Sequence, residues 1–462
     1  MNKQLKLVLI ISILASFVAF LDSSVVNVAL PAISKELGGG LASQQWIVDS
    51  YLLTLGSFIL VAGSLSDLFG RKKVLSAGLI GFLVASILCA IAPNVTFLIV
   101  MRAVQGLAGA LLVPSSLAMI ISAFSGEAQG KAIGTWTAWT GISFIVGPLL
   151  GGFLVDSASW RWVFGINVIP IAITLFLMKL LKLPEKLPVG VHVDIVGAIL
   201  CAVGLGGPVY SFIEQPHYGW SSPLVIWPLL IGVVSMIGFL LYEKSIKNPM
   251  LPLSLFKVRN FSVGNIATTS IYAGLSVAIF TLIIFVQSVG GYSALNAGLS
   301  FVPVTIILFL LSPKFGGLAG KYGPRFFMAI GPIVGAIGFL LLLRVNADIN
   351  YWSQIFPAIM VFGLGLSMTV APLTAAILGD IDSRNAGVGS AINNAVSRIA
   401  GLIAIALIGL VIGADAFTGS VSHGVDAFHK AAITMAVLLL IGGIVSAIGI
   451  TNVRKPKAKA LA

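Results

Sequence analysis

Fourteen apolar stretches, each about as long as a membrane-crossing helix, constrain the fold of this chain more than any other feature. A hydrocarbon core of roughly 30 Å requires about 20 helical residues, and backbone polar groups inside it must be satisfied within the protein. Hydrophobic residues make up 58% of the 462 and charged residues 9%, against about 45–50% and about 25% in soluble domains. The sequence therefore predicts an all-α membrane protein with transmembrane helices at 7–30, 44–65, 74–92, 97–121, 132–155, 162–180, 195–213, 223–242, 262–287, 298–318, 326–344, 353–378, 388–413 and 431–450.

The distribution of Lys and Arg predicts the orientation of these helices, because cytoplasmic loops are enriched in basic residues. With the N-terminus inside, all but six of the 27 basic residues fall on the cytoplasmic side. The exceptions are Lys35, Arg161, Arg344 and Lys430 outside, and Arg102 and Arg398 within spans. We therefore expect a multi-pass protein of the plasma or inner membrane, with an uncleaved first helix and both termini cytoplasmic. The scattered basic residues do not indicate a nucleic-acid partner.

Two loop sequences recur at nearly the same spacing and indicate an internal repeat. "GSLSDLFGRKK" begins at Gly63, and "GGLAGKYGPR" begins 253 residues later at Gly316. "EAQGKAIG" begins at Glu127, and "DSRNAGVG" begins 255 residues later at Asp382. Parallel six-helix halves around a central site are a transporter architecture. We predict two pseudo-symmetric six-helix bundles separated by an inserted helix pair, the three parts being 1–186, 187–255 and 256–462.

Two carboxylates and two arginines lie inside the predicted spans. Asp22 is about ten residues from the outer end of its helix, roughly 15 Å deep, and Asp49 lies about one to two turns below the outer surface. Arg102 lies about one and a half turns into the fourth span. Ionisable groups at such depth are costly and usually pair or mark an ion or substrate pathway. We therefore predict that Asp22 and Arg102 are partners.

A paired Asp22 can bind and release a proton, because burial favours the neutral carboxyl group and a nearby cation favours the charged one. Readings without a transport role remain open. Asp22 can be a hydrogen-bonded structural residue, Arg102 can cap carbonyl groups and snorkel outward, and water can reach Asp49. Arg398 has no predicted acidic partner, so we expect it only to line a polar cavity or hold a helix.

The fifth span, "WTAWTGISFIVGPLLGGFLVD", carries little side-chain bulk on part of its surface. Small residues let two membrane helices approach backbone to backbone, and a proline removes one backbone hydrogen bond and favours a bend. We predict a tight or pivoting helix contact at Gly141, Gly147, Pro148, Gly151 and Gly152.

The sequence carries no motif for ATP binding or enzymatic chemistry. It has no G-x-x-x-x-G-K-[ST] run, its four histidines fall in loops or at helix edges, and no Cys/His cluster has metal-ligand spacing. Cys89 and Cys201 lie in apolar runs, where a thiol behaves as a small hydrophobic group. We expect no cofactor, no metal and no enzymatic activity.

Taken together, the motifs resemble the major facilitator superfamily, specifically its 14-helix drug:H+ antiporter branch, over essentially the whole chain. "GSLSDLFGRKK" looks like the signature loop of the superfamily, and "LDSSVVNVALP" is similar to the first-helix motif of the branch. "RAVQGLAGA" resembles the fourth-helix motif and "GISFIVGPLLGG" the fifth-helix antiporter motif, while "SWRWVFGINVIP" also recurs in the branch.

The resemblance implies alternating access between the two bundles. It assigns proton handling to Asp22 with Arg102, and it implies a charge-relay contact of Asp67 with Arg71 that holds the outward-facing state. The fifth span, which we call the glycine helix, would keep the antiporter from leaking. The positions that match the signature loop, the implied conformational switch, are Gly63, Asp67, Gly70, Arg71 and Lys72.

The sequence departs from the family pattern in its second half. Gly320 stands where the first half has Asp67. Some drug pumps of the branch carry additional acids in the tenth and thirteenth helices for dicationic substrates, whereas this chain has "PVTIILFLLSP" and "INNAVSR" there. Monovalent lipophilic cations, neutral drugs and zwitterionic drugs remain open as substrates. Asn393, Asn394 and Arg398 are candidates to line the cavity.

We therefore predict a monomeric, proton-coupled exporter of amphipathic small molecules that works by alternating access in the lipid bilayer. The first alternative is the same fold exporting a physiological solute, such as a lipid precursor, an amino acid or a secondary metabolite. The second, of a different class, is a membrane receptor or scaffold that transports nothing.

Overall fold

The computed structural model describes residues 3–182, 193–247, 249–381 and 386–452. These residues form fourteen helical spans long and apolar enough to cross a membrane, and they contain no β-strand. We number the spans 1 to 14 in chain order. Their bounds are Lys3–Leu37, Leu41–Phe69, Arg71–Ala90, Val95–Ala123, Gly126–Ser157, Trp162–Leu180, Ile195–Tyr218, Pro223–Ser245, Arg259–Ser288, Ala294–Tyr322, Pro324–Arg344, Tyr351–Gly379, Ala386–Ile412 and Val421–Gly449.

Three of the spans are interrupted shortly before a proline. A proline has no backbone N–H, so the carbonyl group four residues earlier loses its helical partner. Each interruption of a helix lies two to four residues before a proline, which is Pro114, Pro170 or Pro303. The helices on either side of the breaks are Val95–Ala110 and Leu112–Ala123 in span 4, Trp162–Gly165 and Val168–Leu180 in span 6, and Ala294–Leu299 and Val302–Tyr322 in span 10.

The predicted number of helices is confirmed, but span 14 begins ten residues before the predicted start at 431. Its first turns read "VSHGVDAFHK" and are too polar for a search based on apolar content. The helix begins there because the Ser420 hydroxyl group accepts the N–H of His423 at 3.3 Å, an N-cap interaction. The predicted boundary at 186–187, the loop that begins at Asp382 and most of the basic tail lie outside the described residues.

The two sets of six spans pack in the same pattern. In the first half, span 1 packs against spans 5 and 6, and span 4 packs against spans 2 and 3. In the second half, span 9 packs against spans 13 and 14, and span 12 packs against spans 10 and 11. The predicted fold class, two pseudo-symmetric six-helix bundles with an inserted pair, is confirmed.

The inserted pair lies along the seam between the two bundles. Span 7 packs against span 2 of the first half and span 13 of the second, with Val61, Leu205 and Leu402 in one apolar cluster. Span 8 packs mainly on span 7, and its far side exposes 62% of Trp227 and 67% of Val234. In a bilayer this side faces lipid, because such large apolar side chains have no other apolar surroundings available.

Candidate functional site

Asp22 is fully buried inside the first bundle and accepts three hydrogen bonds from neighbouring spans. Its Oδ2 accepts from Arg102 Nη1 at 2.5 Å. Its Oδ1 accepts from Gln105 Nε2 at 2.9 Å and from Asn167 Nδ2 at 2.8 Å. These donors come from spans 4 and 6, so the carboxylate faces the interior of one bundle rather than the seam between the two. The arrangement gives Asp22 one charged donor and two amide donors.

Arg102 is equally buried, with 1% of its surface exposed. Its Nε donates to the carbonyl oxygen of Ile47 at 3.1 Å, and Nη1 also donates to Gln105 Oε1 at 2.7 Å. Its guanidinium carbon lies 4.2 Å from the centre of the Tyr51 ring, within the range of a cation–π contact. Arg102 therefore does not snorkel outward. Among the described residues, it forms its ion pair with Asp22.

Sequence reasoning missed the two amides that complete this cluster. Gln105 lies three residues after Arg102, on the same face of the helix, and also donates to Ser86 Oγ at 2.9 Å. Asn167 lies beside the break in span 6. Gln105 could have been predicted from its spacing of three residues after Arg102. For Asn167, the sequence offered only its place in the motif "SWRWVFGINVIP". Trp160 of this motif donates through Nε1 to Glu36 Oε2 at 2.7 Å. This hydrogen bond fixes the start of span 6 against the end of span 1.

Asp49 lies apart from this cluster and has a different environment. Its side chain is fully buried, and neither carboxylate oxygen has a hydrogen-bond partner among the described residues. It shares a face of span 2 with Gln45 and Gly56. Gln45 Nε2 donates to the carbonyl oxygens of Ile405 and Ala406 in span 13. The structure therefore places Asp49 on the side of span 2 that meets the second bundle.

The glycine helix makes close contacts on two sides. A Cβ added at Gly147 would meet the side chain of Ser24, and one at Gly151 would lie 3.0 Å from the carbonyl oxygen of Val25, both in span 1. No atom of the described residues lies within 4 Å of a Cβ added at Gly141, so the predicted close contact is wrong at that position. The helix also runs without interruption through Pro148.

On its other side, the glycine helix touches the start of span 10. A Cβ at Gly152 would lie 2.6 Å from the carbonyl oxygen of Ala294, and one at Gly298 would lie 2.8 Å from the carbonyl carbon of Pro148. Two backbones therefore touch across the seam, and any side chain at Gly152 would separate them.

Asp156 reinforces this contact. Its carboxylate accepts the N–H groups of Ala294 at 3.1 Å and Leu295 at 2.9 Å, at the N-terminus of a helix, where a negative charge is favourable. Gln287 Nε2 also donates to the carbonyl oxygen of Val28 at 3.1 Å. All these residues lie at the end of the molecule that the basic residues predict to be outside, which we call the outer end. The two bundles are joined at that end.

We expect Asp156→Asn to weaken the closed outer end by about 1 kcal/mol, because the amide offers one uncharged acceptor for two backbone donors. The readout is the distance between spin labels on Pro93→Cys and Thr418→Cys, which are exposed in outer loops of opposite halves, in a variant without Cys89 and Cys201. A longer-distance population should increase severalfold. Asp348→Asn, in an exposed outer loop, serves as the control, and an Asp156→Asn distribution identical to it would contradict the prediction.

At the opposite end of the molecule, two charged residues of the signature loop pair with each other. Arg71 Nη2 lies 3.2 Å from Asp67 Oδ1 within the same loop, and Lys72 Nζ donates to the carbonyl oxygen of Leu181 at 2.8 Å. Gly70 joins spans 2 and 3 with φ of +99°, a backbone conformation that favours glycine. A Cβ added at Gly63 would have no neighbour within 4 Å in the described part of the chain. The Asp67–Arg71 pair is partly exposed, so it contributes little to stability by itself.

The predicted cavity residues of span 13 divide into two groups. Asn393 Nδ2 donates to Asn265 Oδ1 at 3.2 Å and to Thr268 Oγ1 at 2.9 Å, which ties span 13 to span 9. Asn394 and Arg398 are partly exposed one turn apart. Arg398 lies over the ring of Phe20 from span 1, 5.0 Å from its centre. No group of three or more metal-binding side chains occurs in the part of the chain that the structure describes.

The fold matches that of solved membrane transporters. A bacterial homologue of the human lysosomal transporter Spinster, in an inward-facing and unoccupied conformation, aligns over 97% of this chain and 97% of its own with a TM-score of 0.66 and 14% identity. At that level of identity the likeness concerns the fold alone.

Sequence comparison then identifies the family. The model of the Major Facilitator Superfamily matches residues 12–405. The methylenomycin A resistance protein of Bacillus subtilis is 33% identical over 88% of this chain and 87% of its own length. The multidrug transporter protein MdtP of the same organism is 33% identical over 89% and 76%. The chain belongs to the Major Facilitator Superfamily, and these relatives with the fourteen spans confirm the resemblance to its multidrug efflux branch.

Proposed function

We propose that this transporter exports amphipathic small molecules in exchange for protons. The observation that carries the proposal is the Asp22–Arg102 ion pair, fully buried at mid-span and completed by two amide donors. A buried ion pair contributes little net stability compared with apolar residues of the same volume. Its presence at this depth therefore favours a role in handling an ion.

Protonation of Asp22 would cancel its charge and leave Arg102 without a counter-ion. The hydrogen bonds that join spans 1, 4 and 6 would then weaken together, because all three donors depend on the same carboxylate. Since Asp22 faces the interior of the first bundle, we propose that the proton breaks this pairing rather than displacing substrate directly.

A chain of contacts leads from Asp22 to the outer end. Two and three residues after Asp22, span 1 packs against Gly147 and Gly151 of span 5. The same span 5 carries Gly152 and Asp156, which hold the start of span 10. We propose that movement of span 1 upon protonation is passed through span 5 and opens the outer end.

Asp49 is the second group that we propose to take a proton. A buried carboxylate without any donor is far more costly than a neutral carboxyl group. Among the residues that the structure describes, Asp22 has donors for its charge and Asp49 has none. Asp49 also faces span 13, so its proton would respond to movement of the two bundles relative to each other.

The remaining parts of the proposal concern the cycle and its setting. We propose that the bundles, 1–186 and 256–462, rock about the central seam, with 187–255 inserted between them. Both termini are cytoplasmic in the plasma or inner membrane, so the closed outer end corresponds to an inward-facing state. The protein works as a monomer, without cofactor, metal or catalysis. The signature loop, through Asp67 and Arg71, is the conformational switch at the cytoplasmic end.

The names of relatives support drugs as substrates, since two of them are described as resistance or multidrug proteins. The test is reconstitution in proteoliposomes with a pH-sensitive dye in the lumen and a panel of lipophilic cations, neutral drugs, amino acids and lipid precursors. External addition of a transported drug should make the lumen more alkaline, because protons leave as the drug enters. A response only to amino acids or lipid precursors would favour a physiological exporter. Transport without a change in luminal pH would contradict proton antiport.

A further inference from the structure

Arg398 is a second intramembrane cation, and it lacks the partnership that Arg102 has. It lies near the middle of span 13, eleven residues after Gly387, roughly 16 Å along the helix axis. No acidic side chain of the described residues lies within 4.0 Å of its guanidinium group. The guanidinium group instead lies over the ring of Phe20. The guanidinium group is therefore left with an uncompensated positive charge.

The position of Arg398 is at the meeting of both bundles. Phe20 belongs to span 1, and a Cβ added at Gly56 of span 2 would lie 4.0 Å from the Cβ of Arg398. Arg398 itself belongs to span 13 of the second bundle. Arg398 thus lies where span 13 meets the first bundle, against Phe20 and Gly56, with a part of its surface accessible.

These surroundings do not compensate for the charge. A cation–π contact is a weak interaction, whereas arginine pairs most strongly with carboxylates, through two parallel hydrogen bonds. An intramembrane arginine without an acidic partner normally faces a water-filled cavity or a substrate pathway. The counter-ion missing from the protein can then be supplied by a ligand.

We propose that the central site takes amphipathic anions, with a ligand carboxylate on Arg398 and an aromatic or apolar body against Phe20. The inference rests on the proposed function and names the substrate class of its site. Amphipathic anions are a class beyond those that the sequence left open, which were monovalent lipophilic cations, neutral drugs and zwitterionic drugs. The polar positions of span 13 include no acid that would bind a cation, being Ser390, Asn393, Asn394, Ser397 and Arg398.

Binding of three matched probes tests the proposal in nanodiscs of phosphatidylcholine, which carry no anionic headgroup. The probes are 2-naphthoate, 2-naphthamide and 2-naphthylmethylammonium, which share one aromatic body and differ in charge. A ligand that binds only the folded state raises the melting temperature. For the unmodified protein, 2-naphthoate should raise it, and the other two probes should have at least tenfold weaker apparent affinity.

Variants at Arg398 separate charge from packing. Arg398→Gln should reduce the apparent affinity for 2-naphthoate at least tenfold, and Arg398→Lys should retain a part of it, because lysine keeps the charge but not the fork of donors. Arg344→Gln, which removes an exposed arginine, should bind as the unmodified protein does. If Arg398→Gln does not fold, the lysine variant still tests the order of the three probes.

Three results would overturn the proposal: equal or tighter binding of the ammonium probe, an unchanged naphthoate response in Arg398→Gln, or no response of the unmodified protein to any probe. The proposed function fails separately. Naphthoate binding through Arg398 without coupled proton movement would contradict antiport and leave the anion site standing. Proton-coupled transport of lipophilic cations alone would sustain antiport and overturn the anion site.

Discussion

Replacing Arg102 with methionine should remove most of the folded protein from the membrane. The substitution leaves Asp22 buried at mid-span with two amide donors but no cation. Removing one member of a buried ion pair costs about 3–5 kcal/mol, a large part of the about 5–15 kcal/mol that stabilises an ordinary domain. Abundance in the membrane and the melting temperature of the detergent-purified protein would both fall, and Arg344→Met, at an exposed arginine, should change neither.

The double variant Asp22→Asn with Arg102→Met isolates the cause. If the cost is an uncompensated charge, the neutral asparagine should restore most of the abundance and stability that Arg102→Met loses. If the double variant is as unstable as Arg102→Met, the loss comes from packing around Tyr51 and Ile47 instead. That outcome would contradict the importance of the ion pair.

Gly152→Leu should keep the outer end from closing and reduce transport to about a tenth of the original rate or less. The backbones of spans 5 and 10 touch at this position, and Leu295 and Ala294 leave no space even for a Cβ. Overpacking a close contact costs about 1–3 kcal/mol or more when backbone must move. The distance between labels on Pro93→Cys and Thr418→Cys should therefore shift to longer values.

Gly134→Leu is the matched control, because Gly134 lies in the same helix and a Cβ added there would meet no described atom within 4 Å. It should keep the original label distance. A Gly152→Leu variant that also keeps the original distance would show that the contact between Gly152 and span 10 does not hold the outer end closed.

The number of helices was predictable because each span must satisfy its own backbone in a medium without water, which requires long apolar runs. The helix ends were less predictable. Span 14 continues beyond its apolar part through a polar segment that begins at a Ser420 cap. Breaks such as the one before Pro170 in span 6 depend on single backbone hydrogen bonds, which apolar content does not record.

The charged residues of the candidate site were predictable from the sequence, whereas its amide residues were not. Asp22 and Arg102 stand out because charged side chains are rare in apolar spans. Asn167 does not stand out, since an uncharged amide carries a much weaker signal. The isolation of Asp49 and the contact of Asp156 with span 10 depend on how the two halves meet, which no pattern within one segment encodes.

Proton-driven transport by Asp22→Asn, compared with substrate counterflow, tests the central claim most directly. Counterflow exchanges substrate for substrate without a pH gradient, so it also reports whether the variant is folded. Asp22→Asn should be less abundant, because Arg102 loses its counter-ion. The folded fraction, in which Arg102 keeps the Ile47 and Gln105 acceptors, should keep counterflow but lose accumulation driven by an imposed pH gradient, while Asp348→Asn should keep both. Gradient-driven accumulation by Asp22→Asn at the original rate would contradict the account.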